Sequence, residues 1–105
     1  MITSGKGKYT VWLKKYAVGE DLIFVLGGGE RAHLGGIVEC EPGKKPRVVR
    51  LTGHYDDIVL KPIALAAAKK YKTKIVALGG VHVDHATKQE IELLVENCMK
   101  LVKKI

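Results

Sequence analysis

The spacing of apolar residues changes period midway along the chain. The first half reads as strands. Lys8 to Val18 alternates in part, with Tyr9, Val11, Trp12, Leu13, Tyr16 and Val18 on the apolar positions. Gly19-Glu20-Asp21 then marks a turn. Leu22-Ile23-Phe24-Val25-Leu26 is a short continuous apolar run, the pattern of a strand covered on both faces. Gly27-Gly28-Gly29 ends it. His33 to Cys40 predicts a third strand, and Gly35-Gly36 inside it predicts a bulge or a close backbone approach. Glu41-Pro42-Gly43-Lys44-Lys45-Pro46 is a turn signal, and Arg47 to Leu51 is a fourth strand.

From Asp56 the period becomes helical. Leu60, Ile63, Ala64, Ala67, Ala68 and Tyr71 fall on one face of a helix ending near Lys72. Pro62 has no backbone N–H, and that lack costs least in a first turn, so the regular helix is expected to begin near Lys61. Lys74 to Leu78 is a fifth strand, stopped by Gly79-Gly80. Thr87-Lys88-Gln89-Glu90 has capping-box spacing, with Thr87 as the cap and Glu90 reaching back. The final helix runs to about Lys104, with Ile91, Leu94, Val95, Cys98, Leu101, Val102 and Ile105 as its apolar stripe.

The order β-β-β-β-α-β-α predicts one α+β domain over residues 1–105. Strands joined by short turns imply an antiparallel meander. The strand–helix–strand step that follows implies a crossover, giving a mixed sheet of about five strands with two helices on one face. A strand apolar on both sides then needs cover on the open face. A second copy of the chain is the simplest cover, so a homodimer is expected.

Composition narrows the classes. The chain has 105 residues, 47% of them hydrophobic and 28% charged, which is ordinary globular usage and excludes a disordered tail. No apolar run approaches the ~20 residues of a membrane span. The first eight residues carry lysines without an apolar stretch behind them, so a cytoplasmic protein is expected. Cys40 and Cys98 have no C-x-x-C spacing and read as reduced, packed thiols. The net charge of +7 comes mostly from dispersed lysine. Lys69, Lys70 and Lys72, like Lys100, Lys103 and Lys104, sit at helix C-termini, where cations complement the helix dipole. Without interleaved arginines or aromatics these runs argue against nucleic-acid binding. Abundant Lys and Glu with few side-chain amides is the composition of a heat-adapted protein.

The candidate chemistry lies at element ends. His33 follows the triple glycine. His54 follows the fourth strand and precedes Tyr55-Asp56-Asp57, while His82 and His85 flank Val83-Asp84 after the fifth. Residues two apart in an extended chain share a side, so His82 and Asp84 converge, with His54 or Asp56 arriving from the neighbouring element. Imidazole with carboxylate suits a divalent metal held by His54, His82, Asp84 and His85. The same groups suit proton transfer. They also suit plain hydrogen bonding within loops. No activated nucleophile is visible. Backbone N–H groups of Gly28 and Gly29, with Arg31, suit a phosphate, although Gly27-Gly28-Gly29 equally suits a hairpin loop.

Three segments together carry a resemblance. They are Gly27-Gly28-Gly29-Glu30-Arg31-Ala32-His33-Leu34-Gly35-Gly36, Gly53-His54-Tyr55-Asp56-Asp57, and Gly79-Gly80-Val81-His82-Val83-Asp84-His85-Ala86-Thr87. In their order the chain resembles the prenylated-flavin chaperone-like domain, a small accessory protein of gallate-type aromatic acid decarboxylases. That family is in turn similar to small proteasome assembly chaperones. The resemblance implies a dimeric sheet-and-helix architecture and a non-catalytic accessory role. Such a protein binds or delivers prenylated flavin mononucleotide, or helps a partner enzyme assemble. The matching positions are His33, His54, Asp57, His82 and Asp84, and a flavin phosphate would fall to Gly28, Gly29 and Arg31.

Overall fold

The computed structural model describes residues 1–51 and 55–105. Six strands and two helices follow one another as β1 (Ile2–Ser4), β2 (Val11–Val18), β3 (Asp21–Gly28), β4 (Arg31–Cys40), β5 (Arg47–Arg50), α1 (Asp57–Tyr71), β6 (Ile75–His82) and α2 (Lys88–Lys103). The α+β class and the predicted element order hold, with β1 as an added strand.

The strands form one mixed sheet in the order β1-β2-β3-β6-β4-β5. The expected continuous meander is therefore corrected: β3 and β4 are not neighbours, because β6 lies between them. β6 runs parallel to β3, with Leu22 opposite Ile75 and Val25 opposite Leu78. It runs antiparallel to β4, with Ile37 opposite Leu78. Alternation along a strand fixes which side faces the core and says nothing about which strand is the neighbour. The two centremost strands, β3 and β6, are the ones with near-continuous apolar runs.

Both helices pack on one face of the sheet and against each other. Val11, Leu13, Phe24, Leu26, Val38, Cys40, Ile75 and Ala77 point into the layer between sheet and helices and are buried. Val59, Leu60, Ile63, Ala64 and Ala67 of α1 and Leu94, Cys98 and Leu101 of α2 meet them. The start of α1 is a second correction. It begins at Asp57, more than a turn before Pro62. The missing N–H leaves the Ile58 carbonyl without its helical donor, but Ile58 is exposed, so water can serve it. The buried stripe from Val59 to Ala67 spans the proline and holds the helix together.

At α2 the capping box is formed as expected: Glu90 N–H donates to Thr87 Oγ1 at 3.1 Å, and Thr87 N–H donates to Glu90 Oε1 at 3.0 Å. Tyr9 Oη donates to Glu90 Oε2 at 2.6 Å, tying the N-terminal segment to this helix. Both cysteines are free and buried.

Among the described residues nothing packs over the opposite sheet face. Its central row is Lys14, Val25, Leu78, Ile37 and Val49, in register across five strands. Beside it run Ile23 and Val76. The Trp12 ring lies over Gly27, where a Cβ would overlap the indole. Trp12 is half-buried, and Lys14 Nζ stands 5.0 Å from its ring centroid.

Candidate functional site

β3 and β4 straddle β6, so the chain between them must cross the end of β6. It does so at Gly29-Glu30. Gly29 bridges to His82, the Glu30 N–H donates to the His82 carbonyl at 2.7 Å, and Arg31 is in register with His82. A Cβ on Gly29 would overlap the His82 carbonyl, and φ is +74° there, so only glycine fits this crossing. The triple glycine is thus a tight arch. The Gly29 N–H donates to the Thr10 carbonyl at 2.9 Å, so with the Glu30 N–H also engaged the arch offers little to a phosphate. Gly28 and Gly29 serve a close backbone approach here, to Thr10–Val11 and to His82.

Under the arch, His82 Nε2 lies 2.8 Å from Asp84 Oδ1. Arg31 Nη2 donates to the same oxygen at 3.0 Å, and the Asp84 N–H donates to Glu30 Oε1 at 2.7 Å. The hydrogen bond from His82, with the Arg31 charge behind it, holds the Asp84 carboxyl below its ordinary range. His82 and Asp84 converge as their spacing predicts, and Arg31 joins them.

A second His–Asp pair stands beside the first. His33 Nε2 lies 3.1 Å from Asp56 Oδ2, and the His33 and His82 ring centroids are 5.7 Å apart. Asp56 Oδ1 accepts the Val81 N–H at 3.0 Å. Gly35 and Gly80 make room for this group, since a Cβ on either would overlap the Asp56 carboxylate. The β4 register shift between Ala32 and Gly36 is the bulge predicted from Gly35-Gly36. Asp57 turns the other way: its two oxygens accept from Arg50 Nε and Nη2 at 2.8 and 2.9 Å. Asp56, which the strand-end reading brings in beside His82, therefore lies in this cluster, whereas Asp57, the motif position, pairs with Arg50.

Both histidine rings and Asp56 open onto a cavity of about 420 Å³. Val59, Val81, Val83, Ala86, Leu94 and Cys98 line its apolar part, with Tyr55, Ile58, His85, Ile91 and Val95 around it. Burial pushes the Cys98 thiol up to about 12. Ile91 and Val95 belong to the predicted core stripe of α2 but stay 52% and 37% exposed, because they face this cavity rather than the sheet. His54 lies outside the described residues. Among the described residues no group of three or more His, Cys, Asp or Glu side chains is placed to hold a metal ion. Among the described residues His82 and Asp84 meet without a third ligand, and His54, the fourth member of the alternative metal set with His85, lies outside them.

A family model, the Prenylated flavin chaperone LpdD-like domain, matches residues 5–105. The chain belongs to this family. The segments that converge on the cavity fall inside the match. Among solved structures, the chain is similar to one in the crystal structure of a chaperone complex for yeast 20S proteasome assembly. The TM-score is 0.64 at 14% identity, over 98% of this chain and 88% of the other. At that identity the likeness is one of fold. No curated protein matches the chain in sequence. No helix among the described residues is long and apolar enough to cross a membrane.

Proposed function

We propose that this family member is an accessory protein that holds prenylated flavin mononucleotide in the cavity between β6, α1 and α2 and passes it to a partner enzyme. The observation that carries this reading is the convergence of the family-bearing Gly/His/Asp segments on one cavity with an apolar floor and a polar rim. Its volume of about 420 Å³ is in the ~300–1,000 Å³ range of small-molecule sites. Valine and leucine walls suit a fused aromatic ring. His33, Tyr55, Asp56, His82 and His85 supply polar contacts for its heteroatoms. The phosphate falls to Arg31, which is exposed beside His82. When bound, the flavin would bring the partner's chemistry with it; the residues here bind and orient. The resemblance points to a gallate-type decarboxylase as the partner.

The test is titration of the purified protein with prenylated flavin mononucleotide, followed by flavin fluorescence. Saturable binding is expected, weakened by His82→Ala and Arg31→Ala and abolished by Val95→Trp, which fills the cavity from a partly exposed position. Circular dichroism checks that each variant is folded. Unchanged affinity in all three variants would refute the site.

The homodimer belongs to the same proposal. Val25, Leu78, Ile37, Ile23 and Val76 form an apolar centre on the uncovered sheet face, and a second copy of that face would remove it from water. Sedimentation of wild type against Leu78→Lys tests it. A dimer that becomes a monomer is expected, and a wild-type monomer at micromolar concentration removes the idea.

A further inference from the structure

The His82–Asp84 pair has a feature that flavin binding alone does not use. Asp84 is an ionised carboxylate and can only accept, so His82 Nε2 is the donor in their 2.8 Å contact. In the neutral imidazole this contact selects the Nε2–H tautomer and leaves Nδ1 with its lone pair. Among the described residues nothing hydrogen-bonds Nδ1, while the ring itself lines the cavity. Asp84 is pinned in turn by Arg31 and by Glu30. An imidazole oriented by a fixed carboxylate, on a residue that lines a ligand cavity, is the arrangement of a general base.

We propose that His82 moves a proton on the bound ligand, so that this protein sets the tautomer of the cargo it holds. The inference rests on the cavity being the flavin site. The ligand class is a conjugated heteroaromatic ring with a carbon acid next to a carbonyl or ring nitrogen. His82 Nδ1 takes the proton from that carbon, and the C–H electron pair stays in the conjugated ring. The Asp84 carboxylate stabilises the imidazolium. Nδ1–H then returns the proton to another atom of the same ring system. Nothing is oxidised or reduced and no co-reactant is consumed. His82 is the catalytic residue, and Asp84 and Arg31 are positioning residues.

The experiment incubates prenylated flavin mononucleotide with saturating protein in D2O, returns the ligand to H2O, and measures carbon-bound deuterium by mass spectrometry. Binding is titrated in parallel, and all rates are taken at saturation so that affinity does not enter. The wild-type protein is expected to speed exchange by about 10²-fold or more over free ligand, the lower end of general acid–base effects. His82→Gln should abolish the gain. Asp84→Asn should reduce it and move its pH profile, which a merely structural contact would not do. Binding without any acceleration over free ligand would overturn this proposal and leave the flavin site standing. Acceleration that survives in His82→Gln would overturn the assignment to His82. Absence of binding would overturn the site and this inference together.

Discussion

Asp56 precedes α1 yet its carboxylate caps nothing there; it crosses to β6 and accepts the Val81 backbone N–H at 3.0 Å. The other oxygen faces His33 Nε2 at 3.1 Å, and the carboxylate side chain is only 10% exposed. One side chain thus joins the start of α1, the bulge of β4 and the end of β6. Asp56→Ala leaves the Val81 N–H without a partner and should cost about 1–3 kcal/mol. Asp56→Asn keeps an acceptor for Val81 and should recover most of that loss. Urea denaturation of the three proteins measures both steps. Equal losses for Ala and Asn would show that the Val81 bond is not what Asp56 contributes.

The glycines that accommodate Asp56 make a separate test. A Cβ on Gly35 would overlap the Asp56 carboxylate, whereas on Gly36 it would meet Asp57 N, Leu60 Cδ1 and Val49 O, each at 3.3 Å, which needs the neighbours to give by only a few tenths of an ångström. Gly35→Ala should therefore destabilise by roughly 1–3 kcal/mol, the range of overpacking, and Gly36→Ala by less. Gly35→Ala should also weaken ligand binding, because Asp56 can no longer hold the His33 ring. Melting temperatures and flavin titration of both variants read the two effects. A Gly36 variant less stable than the Gly35 variant would contradict this account.

Why the fold was legible, and where legibility stopped, follows from what each pattern encodes. Helix α2 announced itself twice, through the Thr87 and Glu90 pair and through the stripe Leu94, Cys98 and Leu101, because caps and stripes are local. Strands β2 to β6 were readable for the same reason. The place of β6 between β3 and β4 was not, since pairing is a long-range choice that alternation leaves open. Pro62 misled because the penalty of a helical proline is local, whereas the buried residues on both sides of it outweigh that penalty only once the sheet is present.

The site shows the same division. His82 and Asp84 are two apart in extended chain, and their contact could be read from spacing. The place of Asp56 beside them was legible from its position at an element end, while the motif match pointed to Asp57, and the two neighbours differ only in which way they leave the start of α1. Arg50 on β5 takes Asp57, and the room beside Gly35 and Gly80 takes Asp56. Ile91 and Val95 looked like core from their period; only the packed structure shows that they border a cavity.

The two thiols predict a chemical silence. Cys40 and Cys98 are buried at 4% and 0% exposure and unpaired, and burial holds the Cys98 thiol up at about 12. The thiolate is the reactive form, so neither residue should react with an aromatic disulfide reagent at neutral pH. In denaturant both should react, giving two equivalents per chain. Rapid labelling of the native protein would show that the helix layer opens readily beneath the cavity. Fewer than two equivalents in denaturant without reductant would show a disulfide.

Glu90 gives the stability a specific pH dependence. The Thr87 N–H, then the Tyr9 hydroxyl and Lys8, hold the Glu90 carboxyl down to about 2 from its ordinary 4.5. A carboxylate depressed on folding contributes stability that is complete above its unfolded value. That contribution is lost as the pH falls from about 4.5 towards 2. Glu90→Gln cannot titrate and keeps an acceptor at the cap, so it isolates the ionisation. Wild type should be the more stable protein at pH 7, and the difference should shrink through this acid window. Tyr9→Phe removes the hydroxyl and should narrow the window from its lower end. Denaturant midpoints for the three proteins between pH 7 and pH 2 decide it. A wild-type advantage over Glu90→Gln that stays constant across that range would mean that Glu90 acts through its shape and hydrogen-bonding capacity rather than through its charge.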